Sequence, residues 1–221
     1  MNVIDAIKKR ASIRAFLSKP VSDEILQQIL DAARWTASDK NSQPWYVAVV
    51  TGDAKQALAN DLVELNTQRV EPNPDFPIEP SENTIYKDRA FQCGVDLYKA
   101  LAIERKDKDK RIAQWQKNFK FFDAPVGLFF FTEADLGIKA CVDTAMLIQS
   151  VMLAAMEFEL GTCAQGAMAF YPDTVRQYLG EKFHDKKLIC GMSLGYPDCD
   201  AAENNYRTER ASLDEFVTFF N

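Results

Sequence analysis

The sequence predicts an α+β fold, a mixed sheet of four or five strands between helices, in one domain spanning residues 1–221. Three observations lead there. Trp45–Val50, Val126–Phe131 and Leu188–Leu194 are short apolar runs rich in β-branched and aromatic residues, the signature of buried strands. The segments between them are longer, carry a helical period and begin with capping residues. A chain of 221 residues, 47% of them hydrophobic, has material for one sizeable core.

Asn2 followed by Asp5 resembles an N-cap with an acidic third residue, opening a short helix with Val3, Ile4 and Ile7 inward. Ser22 caps a second helix, with Asp23 and Glu24 in its first turn and a stripe of Ile25, Leu26, Ile29, Leu30 and Ala33. It ends near Trp35. A polar loop, Thr36 to Pro44, leads into Trp45–Val50, whose nearly unbroken apolar character predicts a central strand. A helix from Asp53 to about Val70 follows. Pro72, Pro74, Pro77 and Pro80 then interrupt regular structure and mark a surface excursion of about residues 71–122. Within it, Thr84–Phe119 is charged and helical, with a break around Lys106–Lys110. Lys139–Leu160 is a long helix, apolar nearly all round, which Gly161 is placed to stop from its C′ position. Gly161–Gly166 is small and turn-forming. Pro172 and Asp173 open another helix, to about Leu179.

Composition narrows the function classes. A net charge of −6 repels nucleic acid and anionic membrane as a whole, so clustered basic residues suit a small anionic ligand. The longest uncharged apolar stretch, Thr144–Met156, is too short to span a bilayer and reads as a buried helix. The first residues are amphipathic, without the apolar run of a secretory leader. Five cysteines without a Cys-x-x-Cys pair argue against zinc or a disulfide framework and for a reducing cytoplasm. A single histidine, His184, weighs against a hydrolytic triad or a histidine-metal site.

The most informative stretch is Arg10-Ala11-Ser12-Ile13-Arg14. In extended backbone, Arg10, Ser12 and Arg14 share a face, and two guanidinium forks with a hydroxyl suit a phosphate dianion. Lys8-Lys9-Arg10 equally suits a solvated helix end that complements the negative terminus. Four segments together resemble the nitroreductase family of flavin enzymes: Arg10–Arg14, Ser38-Asp-Lys-Asn41-Ser-Gln43-Pro44-Trp45, Gly161-Thr-Cys-Ala-Gln165-Gly166 and Arg207-Thr-Glu-Arg210. They occur in the family's order and spacing over nearly the whole chain. Gly195-Tyr-Pro-Asp198 points to the nitrobenzene- and nitrobenzoate-type branch.

The resemblance implies a nitroreductase-like sheet sandwiched by helices, with the excursion over the flavin. It implies FMN as cofactor, with Arg10, Ala11, Ser12, Arg14 and Arg210 at its phosphate. Arg207 is either a second phosphate ligand or a surface residue. Ser38, Asn41 and Gln43 would read the flavin ring or its ribityl chain, although the same residues suit a self-bonded turn. Ala164, Gln165 and Gly166 would pass the ring, with the Gln165 backbone N–H on N5. Tyr86, Arg89, Phe91, Phe119, Phe121 and Phe122 are candidates for the mouth of the site, and equally for packing. The implied activity is NAD(P)H-driven reduction of a small nitroaromatic or related electrophile, in a homodimer with shared sites and with no catalytic side chain and no metal. Reductive dehalogenation, alkene reduction and flavin storage are the other readings of the same fold.

Overall fold

The computed structural model describes residues 1–77 and 81–220; Pro80, the last of the four clustered prolines, lies outside them. Four strands form one sheet: β1 (Trp45–Thr51), β2 (Val126–Thr132), β3 (Gly161–Gln165) and β4 (Lys187–Gly195), in the order β1-β2-β4-β3. All three neighbouring pairs are antiparallel, and Ile189 bulges where β4 passes Phe130 and Phe131. The four strands thus form an antiparallel sheet where a mixed one was expected; the one parallel pairing is an isolated bridge, Ser12 to Thr162, which lays the N-terminal arm outside β3.

Seven α-helices surround the sheet among the described residues: α1 (Val3–Lys9), α2 (Asp23–Ala33), α3 (Gly52–Thr67), α4 (Thr84–Ala100), α5 (Lys108–Gln116), α6 (Gly137–Ala155) and α7 (Pro172–Leu179). Asn2 Oδ1 accepts from the Asp5 N–H at 2.9 Å and Ser22 Oγ from the Ile25 N–H at 3.4 Å, so both predicted caps form. Side chains alternate along β2 and build two cores. Phe129 and Phe131 join Leu58 and Leu62 of α3, Val175 of α7, and Phe119 and Phe121 on one face. Leu128 and Phe130 join Leu26 and Ile29 of α2 and Leu147 and Val151 of α6 on the other. The helical layer on each face leaves β2 fully buried.

Three further expectations are corrected. β1 is an edge strand. Its apolar run arises because both faces are covered, Ala48 and Val50 on one core and Trp45 and Val47 on the other. Val3, Ile4 and Ile7 of α1 point outward, and only Ala6 is buried. Glu159, in left-handed backbone at φ 58°, ends the long helix after a 3-10 turn, and Gly161–Gln165 is strand rather than turn. Of the two readings left open for Phe119, Phe121 and Phe122, mouth or packing, the structure takes packing: all three are buried in the core.

The long helix also exceeds the uncharged stretch that the sequence marks. Residues 137–158 are the one helix among those described with the length and apolarity to cross a membrane. Leu147, Ile148, Val151 and Ala155 pack inward, whereas Ile138, Val142 and Met146 form an exposed stripe at helical spacing.

Candidate active site

After α1 the chain turns extended. Ser12 bridges Thr162 and the Ile13 N–H donates to the Thr162 carbonyl at 2.9 Å, so Arg10, Ser12 and Arg14 alternate onto one face. Gly161 makes this approach possible. A Cβ there would stand 2.5 Å from Ile13 Cγ1 and 2.9 Å from Pro197 Cγ. The tail returns to the same place. Asn204 Oδ1 accepts from the Arg14 N–H at 2.8 Å while its Nδ2 donates to the Ala15 carbonyl at 2.8 Å, clamping arm to tail.

Arm and tail enclose a cleft of about 410 Å³ lined by Arg10, Ala11, Ser12 and Arg14 from one side and Tyr206, Arg207, Thr208 and Arg210 from the other. Burial lowers the Arg10 pKa, and the Arg210 and Arg207 guanidiniums lower it further. None of the four arginines enters an ion pair among the described residues. Like charges gathered without a counter-charge form a site poised for an anion. Arg14 Nη1 is 3.3 Å from Tyr206 Oη, and Arg210 Nη1 donates to Thr208 Oγ1 at 2.8 Å. Arg207 instead donates to backbone, to the carbonyls of Lys8 (2.7 Å), Lys9 (2.8 Å) and Arg10 (3.0 Å). Beneath the arm, burial pushes the Cys163 thiol up, while Arg14, Ser12 and Arg10 oppose the shift.

The Ser38–Gln43 loop lies at the opposite edge, before β1. Lys40, Asn41 and Gln43 all take left-handed backbone, at φ 51°, 57° and 49°. Each such non-glycine residue costs about 1 kcal/mol, and clustered strain of this kind marks functional loops. The loop is held from below. Asp143 of α6, a buried acid, accepts from the Asp39 N–H at 3.1 and 3.2 Å, and Lys139 pairs with Asp39 at 3.1 Å. Ser38 Oγ accepts from the Gln43 N–H at 3.0 Å, the local bonding expected of a turn. The Asn41 and Gln43 side chains stay exposed.

At the end of β3 the Gln165 side chain is buried, donating to the Asn118 carbonyl and accepting from Ser193 Oγ, both at 2.6 Å. Ala164 and Gly166 face outward. Beyond its own residue, its two chain neighbours and the backbone of its own turn, no atom lies within 4 Å of where a Gly166 Cβ would stand.

Arg10, Ala11, Ser12, Arg14, Arg207 and Arg210 therefore come together within one chain, and Ser38, Asn41 and Gln43 do not join them. β1 and β3 are separated by three strand spacings, about 14 Å, and the arm lies one step beyond. Sequence reasoning missed Asn204, Tyr206 and Asp143. An acid inside an otherwise apolar helix was the available signal for Asp143; Asn204 and Tyr206 carried none beyond their place before Arg207.

A model of the nitroreductase family matches residues 7–196. The 4-nitrobenzoate reductase of Pseudomonas putida is 33% identical over 214 residues, covering 96% of this chain and 93% of that protein. The nitrobenzene nitroreductase of Ectopseudomonas oleovorans is 34% identical over 219 residues, covering 97% and 95%. Among solved structures, the FMN-dependent nitroreductase NfnB from Mycobacterium smegmatis in complex with NADPH superposes with a TM-score of 0.93 at 32% identity, over 99% of this chain and 97% of that one. A family match that takes in the arm, the strained loop and the whole sheet, with relatives aligned end to end, means that this chain belongs to the nitroreductase family.

Proposed function

We propose that this protein is an FMN-dependent oxidoreductase that uses NAD(P)H to reduce nitroaromatic or related electrophilic compounds, and that it works as a homodimer. The observation that carries the reading is the convergence of arm and tail on one cleft, with clustered guanidiniums and no carboxylate partner. The named activities of the relatives at 33% and 34% identity support it. So does the NADPH in the NfnB complex.

The residues present suit FMN. Arg10, Ser12, Arg14 and Arg210 offer charge-assisted donors to a phosphate, and the exposed Ala164 and the open space at Gly166 leave the main chain there accessible to a ring. Held by these residues, FMN would supply the hydride chemistry between a nicotinamide and the electrophile. The protein's part is to hold and orient. Asn118 and Ser193 fix Gln165 so that the end of β3 presents a rigid edge, and the Asn41 and Gln43 side chains supply amide donors and acceptors. His184, the one histidine, is exposed and does not line the cleft.

The dimer reading rests on topology and on uncovered apolar surface. The strained loop and the arginine cleft sit at opposite sheet edges, so a two-fold pair can join one copy's loop to the other's cleft. Ile138, Val142 and Met146 of α6, Val3, Ile4 and Ile7 of α1, and Phe216, Phe219 and Phe220 of the tail are exposed apolar residues that a second copy would bury. One domain of residues 1–221 fits a site built from both chain ends, and five free thiols fit a reducing cytoplasm.

Mass spectrometry of heat-released cofactor tests the cofactor: FMN is expected, and FAD or no flavin refutes it. Mixing Arg10→Ala/Arg14→Ala chains with Asn41→Ala/Gln43→Ala chains tests the dimer. Shared sites give about one flavin per heterodimer, one site pairing both intact halves. A colourless heterodimer contradicts sharing.

A further inference from the structure

Arg207 is the one member of the guanidinium cluster whose two terminal nitrogens are both turned to backbone. Nη2 donates to the Lys8 and Lys9 carbonyls at 2.7 and 2.8 Å, and Nη1 to the Arg10 carbonyl at 3.0 Å. These carbonyls belong to the last turn and C-cap of α1, where helix geometry leaves acceptors without partners and the helix end is negative. The fork that would grip a phosphate in a bidentate contact is thus already engaged. Arg210 differs: its bonds, to Thr208 and Glu209, all come from Nη1 and stay within its own turn.

We propose that Arg207 is a positioning residue and not an anion ligand: it locks the tail to the end of α1, and this lock sets Arg10 and Arg210 against each other across the cleft. The consequence for cofactor affinity rests on the FMN reading above. The physical case is a matter of sequence distance. Arg10 and Arg210 are 200 positions apart, and two like charges do not approach unaided. Three charge-assisted bonds from Arg207 to carbonyls of residues 8–10 hold the tail there, with the Asn204 clamp beside them.

The test compares Arg207→Ala, Arg207→Gln and Arg210→Ala with wild type. FMN and riboflavin affinities are measured by flavin fluorescence at several salt concentrations, and amide exchange is followed on the full chain with and without FMN. Glutamine keeps N–H donors for carbonyls but no charge for a phosphate. Arg207→Ala should weaken FMN by about tenfold or more and speed exchange across residues 10–16. Arg207→Gln should recover most of both losses, with a smaller change in salt dependence than Arg210→Ala shows. Arg210→Ala should lose the preference for FMN over riboflavin with the arm still protected. Arg207→Gln as weak as Arg210→Ala, with wild-type exchange in the arm, would show a direct ligand and overturn the proposal. Wild-type affinity and exchange in Arg207→Ala would overturn it too. If the wild type does not prefer FMN to riboflavin, the cofactor reading fails, and the exchange of the arm still decides the lock by itself.

Discussion

Gly161 offers the sharpest test of how the site is assembled. Gly161→Ala places a methyl group 2.5 Å from Ile13 Cγ1, 3.0 Å from Ile13 Cβ and 2.9 Å from Pro197 Cγ. Ordinary carbon contacts begin near 3.5 Å, so arm and β3 must separate by up to about 1 Å or absorb strain in the side chains. Overpacking of this kind costs about 1–3 kcal/mol. The arm carries Arg10, Ser12 and Arg14, so flavin affinity should fall along with stability. Ile13 Cγ1 is the nearest atom, and Ile13→Ala, which removes it, should relieve the closest part of the clash while Ile13 Cβ and Pro197 Cγ remain. The double variant should therefore be more stable than the sum of the two losses predicts, by about 1 kcal/mol or more. Gly166→Ala is the contrast. Open space surrounds that position, so stability should stay within about 0.5 kcal/mol while FMN affinity drops. Urea unfolding at fixed protein concentration and fluorescence titration with FMN measure both quantities. A Gly161→Ala protein with wild-type stability and flavin content, or strictly additive losses with Ile13→Ala, would refute the close-approach argument.

Two further predictions concern buried groups. Asp143→Ala leaves the Asp39 N–H without its acceptor and releases the strained loop, which should cost about 1–3 kcal/mol by urea unfolding and weaken FMN. Asp143→Asn keeps an acceptor oxygen and should lose less; equal losses would argue against the tether. Burial pushes the Cys190 thiol up to about 12, above the roughly 8.5 of a free thiol, so this contribution to stability is complete below the lower value. It is lost as pH rises between the two, by about 1.4 kcal/mol per pH unit. Cys190→Ala should flatten the fall in unfolding free energy over that alkaline range, and an unchanged slope would contradict it.

The parts of the fold legible in the sequence were those fixed by local chemistry. Ser22 and the stripe from Ile25 to Ala33 define α2 without outside help, and β2, apolar up to Thr132, is buried at every position because both its faces are covered. Edge or centre was not legible for β1: hydrophobic pattern reports covered faces, and both faces of this edge strand are covered. Gly161 follows a long helix, where a C′ glycine is the usual explanation. Its actual reason, the approach of Ile13 and Pro197, is a contact between segments far apart in sequence. The outward apolar residues of α1 have the period of a buried stripe, and period alone does not say which body covers it. The arginines of the cleft were legible as residue types, whereas the division of labour between Arg207 and Arg210 depends on bond directions that only the folded tail defines.

Anaerobic turnover of the purified protein tests the functional account most directly. Added NADH or NADPH should bleach the flavin absorbance, and a nitroaromatic such as 4-nitrobenzoate should restore it over repeated cycles. Arg10→Ala/Arg14→Ala protein should show neither change unless FMN is supplied in large excess. A flavin that neither nicotinamide bleaches, or that recolours only with a halogenated or alkene acceptor, would contradict the assignment.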